Sequence, residues 1–211
     1  HAIRRDHPPS PAGVVISVDA LLEQQGYVCE PLSEEHWFMS FDAGPRGVAL
    51  TDWLNDHAAA YHAEGLCKVW ILCPIDNPSD VLGYFTLSAH SVVVSDIGKR
   101  DRAVSKDNAN RVNNLPSLPA QLLGKFALDE SLQGKGLGEL LMLAVFDRYL
   151  QAEKTIGCKF LIVEAREEAL ANYYATRYGF RQNMTPQGGL TALYLSTANL
   201  RLQYEQALNI A

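Results

Sequence analysis

The chain has 211 residues, a length that predicts one large domain rather than two small ones. Hydrophobic residues make up 47% of the sequence and charged residues 20%, and these proportions exclude intrinsic disorder, a collagen-like repeat and a coiled coil as descriptions of the whole. The formal net charge of -6 excludes a surface that is basic throughout, as in a general binder of nucleic acid or anionic membrane, but it leaves room for a local basic patch.

The sequence predicts neither a disulfide framework nor a membrane anchor. The four cysteines contain no C-x-x-C pair, and we expect them to be reduced thiols. They are Cys29, Cys67, Cys73 and Cys158. No window approaches the ~18 uncharged apolar residues of a membrane-spanning helix. Residues 1–12 form a polar, proline-rich arm without the apolar segment of a signal peptide, so we expect a cytoplasmic protein.

Hydrophobic periodicity in the first half of the chain predicts two helices and three strands. Apolar side chains recur at intervals of three and four from Leu50 through Trp53 to Tyr61, which is typical of an amphipathic helix, and Gly65 is placed to end it. Together the patterns predict a helix within 13–25, a strand over 27–32, a helix over 49–62 and strands over 68–73 and 81–88.

A basic segment interrupts this periodicity near residues 97–114. Its five cations outnumber Asp101 and Asp107, so the segment has a net charge of +3 within an acidic protein. The cations are Lys99, Arg100, Arg102, Lys106 and Arg111. A solvated loop with incidental charges and a local site for a polyanion both explain such a run, and the sequence leaves both open.

The second half of the chain alternates strands with helices. The pattern predicts strands over 121–128, 159–165 and 189–196, and helices over 136–151, 167–177 and 199–208. A helix that joins two buried strands makes them parallel neighbours with a right-handed crossover. We therefore predict a mixed α/β fold, in which a single domain over 13–211 carries the basic segment as an insertion and ends in a helix.

Three alternating glycines lie in the turn that precedes the helix over 136–151. Gly134, Gly136 and Gly138 let backbone N–H groups converge at the helix N-terminus, where unpaired donors and the helix dipole favour a phosphate. A glycine-rich connection without a ligand is the alternative. A Walker A loop is excluded because Lys135 is followed by glycine rather than a hydroxyl residue, and the glycine spacing differs from that of a dinucleotide fingerprint.

The run Gln133-Gly134-Lys135-Gly136-Leu137-Gly138, after a strand that ends F-A-L-D, follows the pattern Q/R-x-x-G-x-G/A. With this motif the chain resembles the GNAT family of acetyl-CoA-dependent N-acetyltransferases. The resemblance covers Phe41 to Ser196 and includes Y-Y-A-T-R-Y-G-F at 173–180. It implies a central mixed sheet of six or seven strands flanked by helices, with the motif strands splayed around acetyl-CoA.

Within that family the chain looks most similar to the GNAT toxins of bacterial toxin–antitoxin pairs. The similarity lies in F-D-A-G at 41–44, A-L-T-D-W-L-N at 49–55, G-Y-F-T-L-S at 83–88 and L-P-S-L-P at 115–119. It implies acetylation of the amino group of an aminoacyl-tRNA and a small DNA-binding antitoxin as a partner. A homodimer is compatible with it. The acidic net charge, a longer interval after Asp42 and a terminal helix after Ser196 depart from the toxin pattern.

The family resemblance also assigns the residues of the site. Backbone groups of the motif strand would bind the pantetheine arm, with the Leu128 N–H directed at the thioester carbonyl oxygen in the manner of an oxyanion hole. The turn would bind the phosphates. The implied acetyl-CoA-binding residues are Phe126, Ala127, Leu128, Gln133, Gly134, Lys135, Gly136, Leu137, Gly138 and Glu139.

The resemblance implies a tyrosine on the last motif helix as the acid that protonates the leaving thiolate, and counting forward from Glu164-Ala165, at the end of a predicted strand, places Tyr174 there. A phenol suits this role because its pKa near 10 keeps it protonated at neutral pH. Counting back from Gly179 leaves Tyr173 or Ala175 in that place, so the assignment stays open. Glu164 and Asp129 are the weak candidates for a general base, beside a water chain or no base at all. We predict no metal site, and the resemblance leaves small amines, protein amines and a non-catalytic CoA-binding module as alternatives.

Overall fold

A computed structural model describes residues 17–102, 112, 114–183 and 189–210. Within them, seven strands form one sheet in the order β1-β2-β3-β4-β5-β7-β6. The strands are β1 Tyr27–Pro31, β2 Lys68–Pro74, β3 Gly83–Val93, β4 Ser117–Leu128, β5 Phe160–Ala165, β6 Arg181–Gln182 and β7 Thr191–Ser196. The helices are α1 Val18–Gln24, α2 Val48–Ala63, α3 Lys99–Arg102, α4 Leu137–Thr155, α5 Glu168–Tyr178 and α6 Thr197–Ile210.

The predicted helices and strands are confirmed in type, and the largest differences are in strand length. β3 continues to Val93 and β4 begins at Ser117, because the two strands form an antiparallel pair along their whole length. His90 and Ser91 interrupt the apolar alternation of β3, so the pattern did not show this extension. The arm over 1–12 lies outside the described residues, as does most of the basic segment after Arg102.

The two faces of the sheet pack against different elements. One face carries α1, α4, α5 and α6, whose apolar side chains form the largest core together with Leu161 of β5. The opposite face carries α2 and the chain that follows β3, where Ile97 packs with Ile162 of β5. Leu161 and Ile162 are successive strand residues and therefore point to opposite faces.

β4 and β5 separate part-way along the sheet. Their parallel pairing runs from Ala120 opposite Phe160 to Leu123 opposite Val163, and β4 then continues to Leu128 without a partner on that side. A bulge in the pairing of β3 with β4 leaves Gly124 as an extra residue at this point. A bulge bends the strand, so the predicted splay of the two motif strands is confirmed, and a gap opens beside residues 124–128.

The cysteines are free thiols, as predicted. Burial raises the pKa of the Cys29 thiol to about 12, so it is inert packing at neutral pH. Within the described residues, no helix combines the length and the apolar character that crossing a membrane requires.

Candidate active site

The turn before α4 presents an open ring of backbone donors. Gly134 and Gly136 have φ angles of +73° and +83°, a region that L side chains rarely adopt, and a Cβ atom on either would meet nothing within 4 Å. Gly136 is the N-cap of α4 and has no side-chain cap. No backbone N–H from Gly134 to Gly138 donates to an acceptor among the described residues. The turn therefore has the space and the donors for an anionic group.

Gln133 holds this turn against the end of β4. Its side-chain Nε2 donates to the carbonyl oxygens of Ala43 and Leu128, at 3.0 Å each. The side-chain amide of Gln133, a predicted acetyl-CoA-binding residue, therefore already donates to two backbone carbonyl oxygens of the protein itself. Gln133 positions the turn, and the backbone groups that follow it face outward.

We expect Gln133→Leu to lower the free energy of unfolding by about 1–3 kcal/mol, since its side chain donates two hydrogen bonds and each contributes ~0.5–1.5 kcal/mol. Gln121 supplies the matched comparison, because its amide donates one bond, to the Tyr149 carbonyl oxygen at 3.3 Å. Gln121→Leu is expected to cost about half as much in urea unfolding. Equal stability of wild type and Gln133→Leu would contradict the positioning role.

Two backbone amides of β4 point into the gap. The Asp129 N–H donates to the Leu82 carbonyl oxygen at 2.9 Å, and bonding along an antiparallel pair alternates. Leu128, opposite Gly83, and Phe126, opposite Phe85, therefore direct their N–H groups away from β3. In agreement, the Leu128 carbonyl oxygen accepts from Gln133 and not from β3. The structure thus leaves two donors, on Phe126 and Leu128, at the edge where β5 has separated.

Tyr174 is buried on α5 with an available hydroxyl. The residue is 7% exposed and belongs to the same core as Ala165 at the end of β5. Its hydroxyl makes no hydrogen bond with a described residue. Burial raises the pKa of Tyr174 above that of a free phenol, so the hydroxyl stays protonated well beyond neutral pH.

Tyr173 and Tyr178 are occupied with each other. Their hydroxyl oxygens lie 3.2 Å apart, and Tyr173 is 47% exposed. Beside them, Arg177 forms an ion pair with Glu139 of α4, so the side chain of this predicted acetyl-CoA-binding residue links the two helices. Of the two tyrosines that the sequence proposed as the acid, Tyr174 is the one whose hydroxyl makes no hydrogen bond with a described residue, whereas the Tyr173 hydroxyl shares one with Tyr178.

The two carboxylates proposed as general bases have different surroundings. Burial favours a higher pKa for Asp129, but hydrogen bonds from the Ser131 side chain and from the backbone N–H groups of Asp42 and Ser131 outweigh it and lower the pKa. Asp129 therefore stays charged and ties the segment before α2 to the end of β4. Glu164 is exposed, near the end of β5, on the face that also carries α2.

Lys125 and Trp53 flank the gap on the face that carries α2. Neither was identified from the sequence as a candidate functional residue. The Lys125 ammonium lies 5.4 Å from the centroid of the Trp53 ring, which stacks on Tyr84 at 5.9 Å. Burial, together with the charge of Arg166, lowers the pKa of Lys125. A cation and an aromatic plane side by side suit a nucleotide or another planar, anionic acceptor.

Glu30, His36 and Cys73 offer three metal-ligating atoms within 4.8 Å of one another. However, the Ser33 N–H donates to Nδ1 of His36 at 3.0 Å, and Nε2 lies 3.1 Å from the Glu30 carboxylate. Both ring nitrogens of His36 therefore already have hydrogen-bond partners within the protein. We interpret the three side chains as a structural cluster at the edge of the sheet.

The described part of the basic segment lies on the α2 face of the sheet. Its first turn forms α3, which contains Lys99, Arg100 and Arg102, whereas Lys106 and Arg111 lie outside the described residues. The strands on either side end at Val93 and Ser117, at the opposite end of β4 from the glycine-rich turn. This geometry is compatible with the prediction that the segment is on the acceptor side, which stays a prediction.

Comparisons with known proteins agree on one relationship. No family model matches the chain. A tRNA-acetylating toxin of Mycobacterium tuberculosis is 29% identical over 136 residues, which are 64% of this chain and 73% of the toxin. A KacT mutant with phenylalanine in place of a tyrosine superposes with a TM-score of 0.70 at 26% identity, over 85% of this chain and 99% of the other.

AtaT in complex with acetyl-methionyl-tRNAfMet superposes with a TM-score of 0.69 at 26% identity, over 84% of this chain and 99% of AtaT. AtaTR bound to acetyl-CoA gives a TM-score of 0.69 at 25% identity, over 85% and 99%. In sequence and in fold the chain is similar to GNAT toxins of toxin–antitoxin systems. Its splayed strands, glycine-rich turn and α5 tyrosine lie where the sequence motifs predicted them.

Proposed function

We propose that this protein is a GNAT enzyme that transfers the acetyl group of acetyl-CoA to the α-amino group of an aminoacyl-tRNA. The observation that carries the proposal is the gap between β4 and β5, which has free backbone donors at Phe126 and Leu128 and an open turn at its end. Structural relatives hold acetyl-CoA and an acetylated methionyl-tRNA, and both ligands suit the gap and its surroundings.

The residues present fit acetyl-CoA. The amides from Gly134 to Gly138 have no internal acceptor, and empty space lies where Cβ atoms at Gly134 and Gly136 would stand. They would hold the phosphates, while the outward amides of Phe126 and Leu128 would hold the pantetheine arm and polarise the carbonyl. When bound, acetyl-CoA supplies an acetyl group activated as a thioester.

The proton chemistry falls on opposite faces of the sheet. Tyr174 belongs to the α4 and α5 face, where its hydroxyl holds the proton that a leaving thiolate requires. Glu164 lies exposed on the α2 face; in this proposal the amine enters from that side and loses its proton to Glu164, directly or through water. An acid and a base on opposite sides of the gap allow the two proton transfers to occur without competition.

The proposed acceptor is also supported by charge. In a protein of net charge -6, the cations Lys125, Arg166 and those of α3 lie on or beside the α2 face. A macromolecular acceptor with a phosphate backbone would form ion pairs with these cations, whereas a small neutral amine would not. We propose the cytoplasm as the location, since charged tRNA is found there, and a small antitoxin as the partner, since AtaT binds the antitoxin AtaR.

The test is acetylation of bulk aminoacyl-tRNA with labelled acetyl-CoA, which we expect wild type to catalyse. Replacing Arg100, Arg102 and Lys106 with serine is expected to weaken acceptor binding and flatten its dependence on salt, because each lost phosphate contact reduces counterion release. Acetyl-CoA binding should be unchanged. Absence of any transfer to aminoacyl-tRNA would overturn the proposal and direct the search to small amines or protein N-termini.

A further inference from the structure

One cavity of the described chain lies away from the glycine-rich turn. It has a volume of about 500 Å³ and is lined by α3, the start of β5 and the junction of β7 with α6. Three cations line it: Arg100, Lys159 and Arg181. Its acidic lining residues are Asp101 and Glu153, so the sign of its charge depends on how these groups pair.

Both acids of the cavity are already neutralised. Asp101 accepts from Arg181 at 2.8 Å, and Glu153 forms an ion pair with Arg201 at 3.0 Å. Arg100 and Lys159 form no ion pair with a described residue. Among the described residues the cavity therefore has two positive charges without an ion-pair partner, and such a site favours an anionic ligand.

The cavity wall is fixed rather than a loose loop. The Tyr194 hydroxyl of β7 donates to Asp101 at 2.9 Å and accepts from the Gly98 N–H at 3.2 Å. Arg102 donates through Nε to the Ile97 carbonyl oxygen at 2.6 Å. These bonds anchor α3 to the sheet, so Arg100 is presented from a held position and loses less conformational freedom on binding.

The cavity lies a short distance along β5 from the gap between β4 and β5. Lys159 precedes Val163, the last residue of β5 paired with β4, by four residues, or about 13 Å at ~3.3 Å per residue. Phosphates along a stacked nucleic-acid strand follow one another at ~3.4 Å of axial rise. A strand whose acylated end reaches the gap would thus pass the cavity within about four nucleotides of that end.

We propose that this cavity binds phosphodiester groups of the acceptor tRNA near its acylated end, through Arg100 and Lys159. The inference rests on the proposed function and names a part of the acceptor site that the basic segment alone does not include. Lys159 lies outside that segment, and the fold brings it to Arg100 from 59 positions away in the chain.

Binding of deacylated tRNA to wild type and Lys159→Gln, measured by fluorescence anisotropy over a salt series, tests the cavity without catalysis. One lost phosphate contact should reduce the slope of log K against log salt by ~0.7–0.9 and weaken binding roughly fivefold near 0.15 M salt. Lys154→Gln is the matched control, because Lys154 lines a different cavity between α4 and α6. Its slope should equal that of wild type.

Acetyl transfer separates failure of this inference from failure of the proposed function. Lys159→Gln should lower kcat/KM about fivefold for aminoacyl-tRNA and leave it unchanged for aminoacyl-adenosine, which lacks the neighbouring phosphates. If wild type acetylates aminoacyl-tRNA and Lys159→Gln matches it in slope and rate, the cavity does not bind phosphate. If wild type acetylates neither substrate but the slope still changes, the cavity binds nucleic acid and the proposed reaction is wrong. An unchanged acetyl-CoA-induced shift in melting temperature verifies folding.

Discussion

Gly136→Asp is expected to abolish the stabilisation that acetyl-CoA confers on the wild-type protein. At a ligand concentration of 100 Kd, binding adds ~2.7 kcal/mol, which raises the melting temperature of a chain of this size by roughly 5–10 °C. An aspartate at Gly136 places a carboxylate in the empty space of the turn, where it repels phosphate and fills the ring of donors. Thermal denaturation with and without acetyl-CoA measures the shift.

Gly26→Asp controls for backbone strain and charge. Gly26 has a φ angle of +84°, almost that of Gly136, and a Cβ atom there also meets nothing within 4 Å. Both substitutions should lower the melting temperature of the free protein by similar amounts, because both force an L residue into the left-handed region. Only Gly26→Asp should keep the acetyl-CoA shift. A full shift in Gly136→Asp would show that the turn does not bind the phosphates.

Tyr174→Phe should lower kcat by about 100-fold or more, the usual contribution of a positioned general acid. The ring remains in its contacts with Tyr173 and Phe180, so the fold and the affinity for acetyl-CoA should be nearly unchanged. The hydroxyl matters only as the thiolate forms, and its loss should therefore reduce kcat and kcat/KM together. Steady-state kinetics test the expected loss of kcat, and calorimetry of acetyl-CoA binding tests the unchanged affinity.

The matched variant is Tyr173→Phe, which removes a neighbouring hydroxyl that pairs with Tyr178. It should keep most of the activity. Loss of activity in Tyr173→Phe with retention in Tyr174→Phe would reverse the assignment. Because burial raises the pKa of Tyr174, the acid stays protonated up to a higher pH than a free phenol. Activity should therefore not fall as pH approaches 10 through ionisation of this group.

The motif and its immediate setting were predictable from sequence because they depend on local backbone chemistry. The glycines at 134 and 136 adopt left-handed conformations that other residues resist, and the helix that begins at Leu137 follows from the apolar periodicity. The position of Tyr174 also followed from its distance to the end of β5. The competition with Tyr173 did not, since the hydrogen bond between Tyr173 and Tyr178 depends on where the side chains pack.

The pairing of Lys125 with Trp53 on the α2 face could not be predicted, because it depends on one irregularity in the sheet. Regular alternation would place Lys125 on the same face as Leu123, but the bulge at Gly124 shifts the phase and turns Lys125 toward Trp53 on the other face. A bulge adds one residue to one strand, and no apolar pattern marks it.

The sequence by itself determined the glycine-rich turn and the order of helices and strands, and it predicted a tyrosine as the acid, since these follow from residues close together in the chain. Only the tertiary structure decided which cations line the same cavity. Arg100 and Lys159 do so because the chain after β3 folds back over the sheet to β5 and β7, where the Tyr194 hydroxyl bonds to Asp101 and Gly98. Contacts of that kind arise from packing between distant segments, and a one-dimensional pattern does not contain them.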